Sequence, residues 1–270
     1  MVEITKKYKI GSRRFGLINW VGAWTLYKKE VLRFLIVWIQ TIFSPLISSL
    51  LFLLVLSLAI GTDRGDVLGV PFITFLAPGL ISMQVIQQSF SHSSSSFMIG
   101  KIQGNIVDLL YAPLSATEVT ISVALAAVTR SVVIAIVSII VFKLIINIEI
   151  TNYFLLIVFT LLSSFILGNI GIIAGLWAEK FDHMATVTNF VIVPLSFLSG
   201  TFYSIDRLPE ILQIVSKANP FFYMIDGFRY SFIGQADGSI TIGLVYLTIL
   251  SVVSWFITYL LYKNGYKIKS

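Results

Sequence analysis

The sequence predicts an all-α integral membrane protein with six transmembrane helices, and three observations carry that reading. Hydrophobic residues fill 57% of the 270 positions and charged residues only 12%, against roughly 45–50% and 25% in soluble domains. The mean hydropathy of +0.91 leaves too little polar surface to coat a body of this size in water. Six apolar stretches, near 34–60, 71–90, 119–142, 153–177, 184–203 and 240–262, are long enough to cross a hydrocarbon core about 30 Å thick. They are continuous runs such as LISSLLFLLVLSLAI and not short alternating segments, so the backbone satisfies itself within helices and not in a barrel.

Composition also removes several functions. The chain has no cysteine, which excludes a disulfide framework, a thiolate metal site and a cysteine nucleophile. His92 and His183 are far apart and lack ligand spacing, so no metal site is expected. Nineteen basic against thirteen acidic residues give a net charge of +6. In a soluble protein that excess would point to nucleic acid; here it sets orientation, and no nucleic-acid partner is expected. Under six spans, thirteen cations fall on one side (Lys6, Lys7, Lys9, Arg13, Arg14, Lys28, Lys29, Arg33, Lys101, Lys180, Lys263, Lys267 and Lys269). Five fall on the other (Arg64, Lys143, Arg207, Lys217 and Arg229), and Arg130 lies inside a span. The bias puts both termini in the cytoplasm. No cleavable signal, internal repeat or second domain is visible, and SHSSSS at 91–96 is the one low-complexity tract.

Taken in chain order, the first element is an amphipathic helix at about 15–33. Leu17, Trp20, Trp24, Tyr27, Val31 and Phe34 recur at intervals of three and four, which stacks them on one face. Gly22, Lys29 and Arg33 fall opposite. Such a helix lies in the membrane interface, either as an anchor or as a docking surface that runs on through Glu30 into the first span. The second span is expected to break at Ala77-Pro78-Gly79 and the fifth at Pro194.

Between the second and third spans, a cytoplasmic connection at about 91–118 contains a short helix near 101–111. Ile102, Ile106, Leu109 and Leu110 are spaced along one face, with Gly104 and Asp108 among them, and Tyr111-Ala112-Pro113 ends it. An apolar face exposed there marks a contact, with the chain's own bundle or with a soluble partner. Arg130, inside the third span, must be paired, watered or snorkelling, or else serve a substrate path or a dimer seam. The turn Ala178–His183 reads as a solvated loop or a smaller contact.

The long outer connection, 204–238, is too apolar to stand in water. Pro209 and the Asn219-Pro220 pair punctuate two short helices within 206–234, which dip back into the outer leaflet. Tyr223 is among the aromatics behind Pro220, and Asp226 and Arg229 stand three apart, as a local ion pair would.

These segments, in this order, resemble the permease subunit of exporters of the type-2 class of ATP-binding-cassette (ABC) transporters, over nearly the whole chain. The residues that carry the likeness are Glu30-Val31-Leu32-Arg33-Phe34, Ala112-Pro113-Leu114, and FVIVPLSFLSGTFYSIDRLPEILQIVSKANPFFYMIDGFRYSFIG from Phe190 to Gly234. Within the class the chain is most similar to multidrug or inner-membrane transport permeases, and less so to permeases that export lipid-linked polysaccharides. The resemblance implies a bacterial-type inner-membrane location and a homodimer of this chain with two copies of a separate ATPase. It also implies that the first helix is an interface helix, that 101–111 is a coupling helix resting on the ATPase, and that 206–234 is re-entrant.

A phosphate-cradling G-x-x-x-x-G-K-[ST] loop is absent: Gly100-Lys101 is followed by Ile102. ATP and Mg are therefore expected on the partner and no cofactor on this chain. Two other classes are weaker. A stand-alone secondary transporter of a small solute would carry ionisable groups at midplane and repeated halves. A membrane enzyme acting on lipids would cluster His, Asp or Cys near an interface.

Overall fold

A computed structural model describes residues 18–60, 65–146 and 148–268 of the chain. The start of the predicted amphipathic helix, Leu17 of its apolar face, and the cations Lys6, Lys7, Lys9, Arg13, Arg14, Arg64 and Lys269 lie outside the described residues. The described elements are helical, as the apolar runs predict. In chain order they are α1 (Trp20–Ile36), α2 (Ser44–Ile60), α3 (Phe72–Ile102), α4 (Ile106–Tyr111), α5 (Ala116–Ile146), α6 (Tyr153–Trp177), α7 (Phe181–Val187), α8 (Val193–Leu198), α9 (Glu210–Ala218), α10 (Pro220–Ile233) and α11 (Ile240–Lys263). Five stretches among the described residues are long and apolar enough to cross a membrane: Ile39–Ala59, Ala116–Ile146, Tyr153–Trp177, Phe181–Leu198 and Ile240–Lys263.

The remaining long helix, α3, differs from the expectation twice. Pro78 does not break it, and its 31 residues run through the SHSSSS tract, which is helical. The connection to the next span is therefore short, and Ile102 is the last residue of α3 and not part of the short helix.

The reason is packing. Helices α3, α5 and α6 form the core of the bundle, with α11 against α6, α1 against α5, and α10 wedged between α3, α6 and α11. A side-chain carbon at Gly171 of α6 would lie 2.5 Å from the Phe90 carbonyl, and one at Gly175 would lie 2.7 Å from that of Ser94. Small residues on both helices thus let the backbones approach closely. Ser89 donates to the Ser164 carbonyl across the same seam. A serine-rich tract is what that seam requires, and sequence complexity says nothing of it.

Two other prolines do reshape their helices, without breaking them. Pro45 and Pro194 each follow a five-residue π-helical turn, Ile39–Phe43 and Thr188–Ile192. Proline lacks the amide proton and crowds the preceding turn, and a widened turn accommodates it while the chain stays helical. The fifth apolar run consequently spans 181–198, earlier than the expected 184–203.

Helix α1 meets the bundle along one narrow face. Leu26, Glu30 and Phe34 are buried against the bundle, while Trp20 and Trp24 are 73% and 64% exposed. Lys29 is exposed, but Arg33 turns inward. Trp20 and Trp24 thus face outward, while Tyr27 bonds Thr129 and Phe34 is buried, and the buried face contains a carboxylate that periodicity alone assigns to no partner.

Candidate functional site

Three arrangements hold the residues singled out from the sequence. The first is the end of the bundle where α1 begins and α11 ends. Asn19 caps α1, accepting from Gly22 N at 3.0 Å, and its amide nitrogen donates to the Pro113 carbonyl at 2.9 Å. Glu118 accepts the backbone N–H of Asn19 at 2.5 Å and of Ser115 at 2.7 Å, and Ser115 Oγ accepts from Glu118 N in return. The last pair is a capping box, S-x-x-E, legible at 115–118. Asn19 and Glu118 are both buried, so this knot ties α1 to the turn between α4 and α5.

Helix α4 follows a turn at Gly104, whose φ of +76° suits glycine. Only Ile106 of α4 is buried; Val107, Asp108, Leu110 and Tyr111 are exposed, Leu109 is half-buried, and Ile102 adds to the apolar surface. Asp108, Leu109 and Pro113 line a groove of about 280 Å³ with Lys29 of α1. Thus α4 rests on its own bundle by Ile106 and, in part, Leu109, and offers its other residues outward.

Behind it, Lys101 Nζ donates to the carbonyls of Leu176 and Ala178 at 2.6 and 2.5 Å, where a helix end favours a cation. Lys267 Nζ bonds Glu179 at 3.0 Å. That hydrogen bond is the main cause holding the Glu179 carboxyl below its ordinary pKa and the Lys267 ammonium above its own. Residues 179–182 of the 178–183 turn are exposed, as a solvated loop would be, and the tail reaches the turn through this pair.

The second arrangement, at the opposite end, contains the Phe190–Gly234 motif. Asn219 accepts from Phe221 N at 3.1 Å, capping α10 with Pro220 in its first turn, and donates to Ser199 Oγ at 2.7 Å. Pro209 precedes α9. Tyr223 packs on Tyr246 with ring centroids 5.4 Å apart.

The expected Asp226–Arg229 ion pair is not made. Asp226 instead accepts the backbone N–H groups of Asp237 and Gly238 at 3.0 and 2.9 Å. Arg229 donates to the Gly200 carbonyl at 2.5 Å and lies 3.8 Å from the centroid of Phe75. Both side chains are buried, and each satisfies a loop that the i, i+3 spacing ignores. The motif is a knit cap.

The third arrangement was missed in the sequence except for Arg33 and Arg130. A cavity of about 570 Å³ lies between α1–α2 and α3–α5. Its α3 wall carries Gln84, Gln87, Gln88, Ser91, His92 and Ser95, and the facing side carries Gln40 of the π-helical turn with Ser44 and Ser48 of α2. Arg33 bonds Glu30 at 2.9 Å, Ser95 Oγ at 3.1 Å and the His92 carbonyl at 2.8 Å. Arg130, near the middle of α5, donates to Gln88 Oε1 and makes no salt bridge to a described carboxylate. The signal was available: positions 84, 87, 88, 91, 92 and 95 fall on one helical face.

The sequence profile described as ABC-2 type transporter matches residues 22–233. The chain is 31% identical over 253 residues to the inner membrane transport permease YadH of Escherichia coli K12, covering 94% of this chain and 99% of that protein. It is 22% identical over 245 residues to nodulation protein J of Neorhizobium galegae, covering 90% and 92%. For nodulation protein J of Rhizobium leguminosarum bv. viciae the identity is 24% over 247 residues, covering 90% and 93%.

Proposed function

We infer the function from kinship: the chain belongs to the ABC-2 type transporter family, whose members are membrane subunits that work with an ABC ATPase. The finer reading is an exporter permease that moves an amphiphile out of the cytoplasm, with no catalysis of its own. ATP and Mg act on the partner. In this reading α3 is the sixth span, both termini are cytoplasmic, α1 is the interface helix, α4 is the coupling helix, and α9–α10 are re-entrant at the outer mouth.

The observation that carries the reading is the polar stripe on α2 and α3. Glutamines and serines at membrane depth, with the Arg130 guanidinium beside them, are costly against lipid and are found facing protein or water. A second copy of the chain, set stripe to stripe, would enclose a polar path, with one ATPase under each α4. ATP-driven closure of the ATPases then biases the bundle between two states, inward-open and outward-open.

The test is reconstitution of the chain with its ATPase in liposomes, followed by ATP-dependent accumulation of a fluorescent amphiphile in inside-out vesicles. Accumulation that requires both subunits and ATP supports the reading. Concentrative transport by the chain alone would instead make it a secondary transporter.

A further inference from the structure

The charges around the central cavity do not balance, and the imbalance deepens the exporter reading on which it rests. Glu30 and Arg33 neutralise one another at 2.9 Å, and the other Arg33 nitrogens are bound to Ser95 and the His92 carbonyl. Arg130 has no such compensation. It is only 7% exposed, its one hydrogen bond is to a neutral amide, and its Nε has no partner. The same wall buries the Gln87 amide nitrogen without a partner, and the His92 imidazole, which is 0% exposed, makes no hydrogen bond and has the Glu30 carboxylate 3.8 Å from its Nε2. A guanidinium and an amide nitrogen can only donate, and an imidazole carries at least one N–H.

A buried cation and unused donors are both penalised until something supplies negative charge and acceptor oxygens. A neutral glycan brings acceptors but no charge, and an ammonium brings neither. An oxyanion brings both, in the geometry that guanidinium favours. Phe34, Val37, Phe52 and Leu80 line the same cavity and would accompany an alkyl chain.

We propose that Arg130 binds the headgroup of the cargo, and that the cargo is an amphiphile carrying an oxyanion, a phosphate, sulfate or carboxylate, on an apolar chain. Gln87 supplies a flanking donor.

The test is binding to the full chain in nanodiscs of zwitterionic lipid, which needs no ATPase. Monododecyl phosphate and dodecanol are compared by displacement of a fluorescent dodecyl phosphate, with inorganic phosphate as a third arm. The alkyl phosphate should bind about tenfold or more tightly than the alcohol, and inorganic phosphate at equal concentration should displace nothing. Arg130→Gln should remove the preference and Arg130→Lys should retain most of it. Gln88→Glu, which gives Arg130 an internal counter-charge, should also remove it, and this variant decides the matter if Arg130→Gln fails to fold. Equal binding of phosphate and alcohol by the parent chain, or an undiminished preference in Gln88→Glu, overturns the proposal. Displacement by inorganic phosphate alone overturns its amphiphile half. Loss of ATP coupling with the preference intact would count against the exporter reading and leave the headgroup assignment standing.

Discussion

Glu118→Gln isolates the knot that joins α1 to the α4–α5 turn. The carboxylate accepts two backbone N–H groups, from Asn19 at 2.5 Å and Ser115 at 2.7 Å, in a site only 8% exposed. A glutamine of the same shape keeps one acceptor and turns an NH2 toward the other donor. One charge-assisted bond is lost, at about 1.5–3 kcal/mol, and fraying of the first turn of α1 becomes roughly tenfold to a hundredfold more frequent. Amide exchange at residues 19–23, read by mass spectrometry in nanodiscs, reports that ratio directly, with α6 amides as an internal control. In the assembled transporter, ATP turnover should fall with the loss of protection, since α1 and α4 would no longer move together. Unchanged exchange at 19–23 in a folded Glu118→Gln protein would refute the reasoning, because it would mean that the knot holds nothing.

Gly171→Leu should abolish folded, monodisperse protein on size exclusion, since even its first side-chain carbon falls 2.5 Å from the Phe90 carbonyl; a normal yield would deny that α3 and α6 meet so closely. Asp226→Asn should cost about 1–3 kcal/mol by leaving an N–H of Asp237 or Gly238 unmet. A fall in Tm of roughly 2–4 °C per kcal/mol would record it, and no shift would mean that water replaces the lost acceptor. Asp108→Lys, at an exposed position of α4, should weaken association with the ATPase by roughly threefold to tenfold, the scale of a surface ion pair lost and reversed; membrane insertion should be normal, and parental affinity would remove Asp108 from the contact.

What the sequence disclosed follows from what each signal measures. Hydropathy found α6 to the residue, because 153–177 is apolar from end to end and bounded by a capping Asn152. It mistook the length of α3, because a helix buried among other helices need not be apolar: Ser93 and Ser94 are small against the glycines of α6, and Ser91 and Ser95 line the cavity. Proline marked Pro78 and Pro194 alike, yet only Pro194 alters its helix, and Pro45, which does the same, went unmarked. The motif around Arg229 is specific enough to identify a family, and in space it is structural: Ser199, Gly200, Asn219 and Arg229 bond one another. Asp226 and Arg229 were mispaired because spacing sees one helix and not the loops packed on it. The cavity wall was missed for a different reason. Its glutamines and serines are uncharged, so a search for intramembrane charge found Arg130 and passed over the face that surrounds its side chain.

The two bonds from Lys101 to the end of α6 have a mechanical meaning. They clamp the last turns of α3 and α6 at the place where α4 begins, and the glycine seam above leaves no slack for the pair to slide. On the proposed role of α4 as coupling helix, a thrust delivered there would pass to α3 and α6 as one stiff beam. On the other side of that beam α2 joins α1 through the widened turn Ile39–Phe43, so the same stroke would change the width of the polar chamber before it sheared the core.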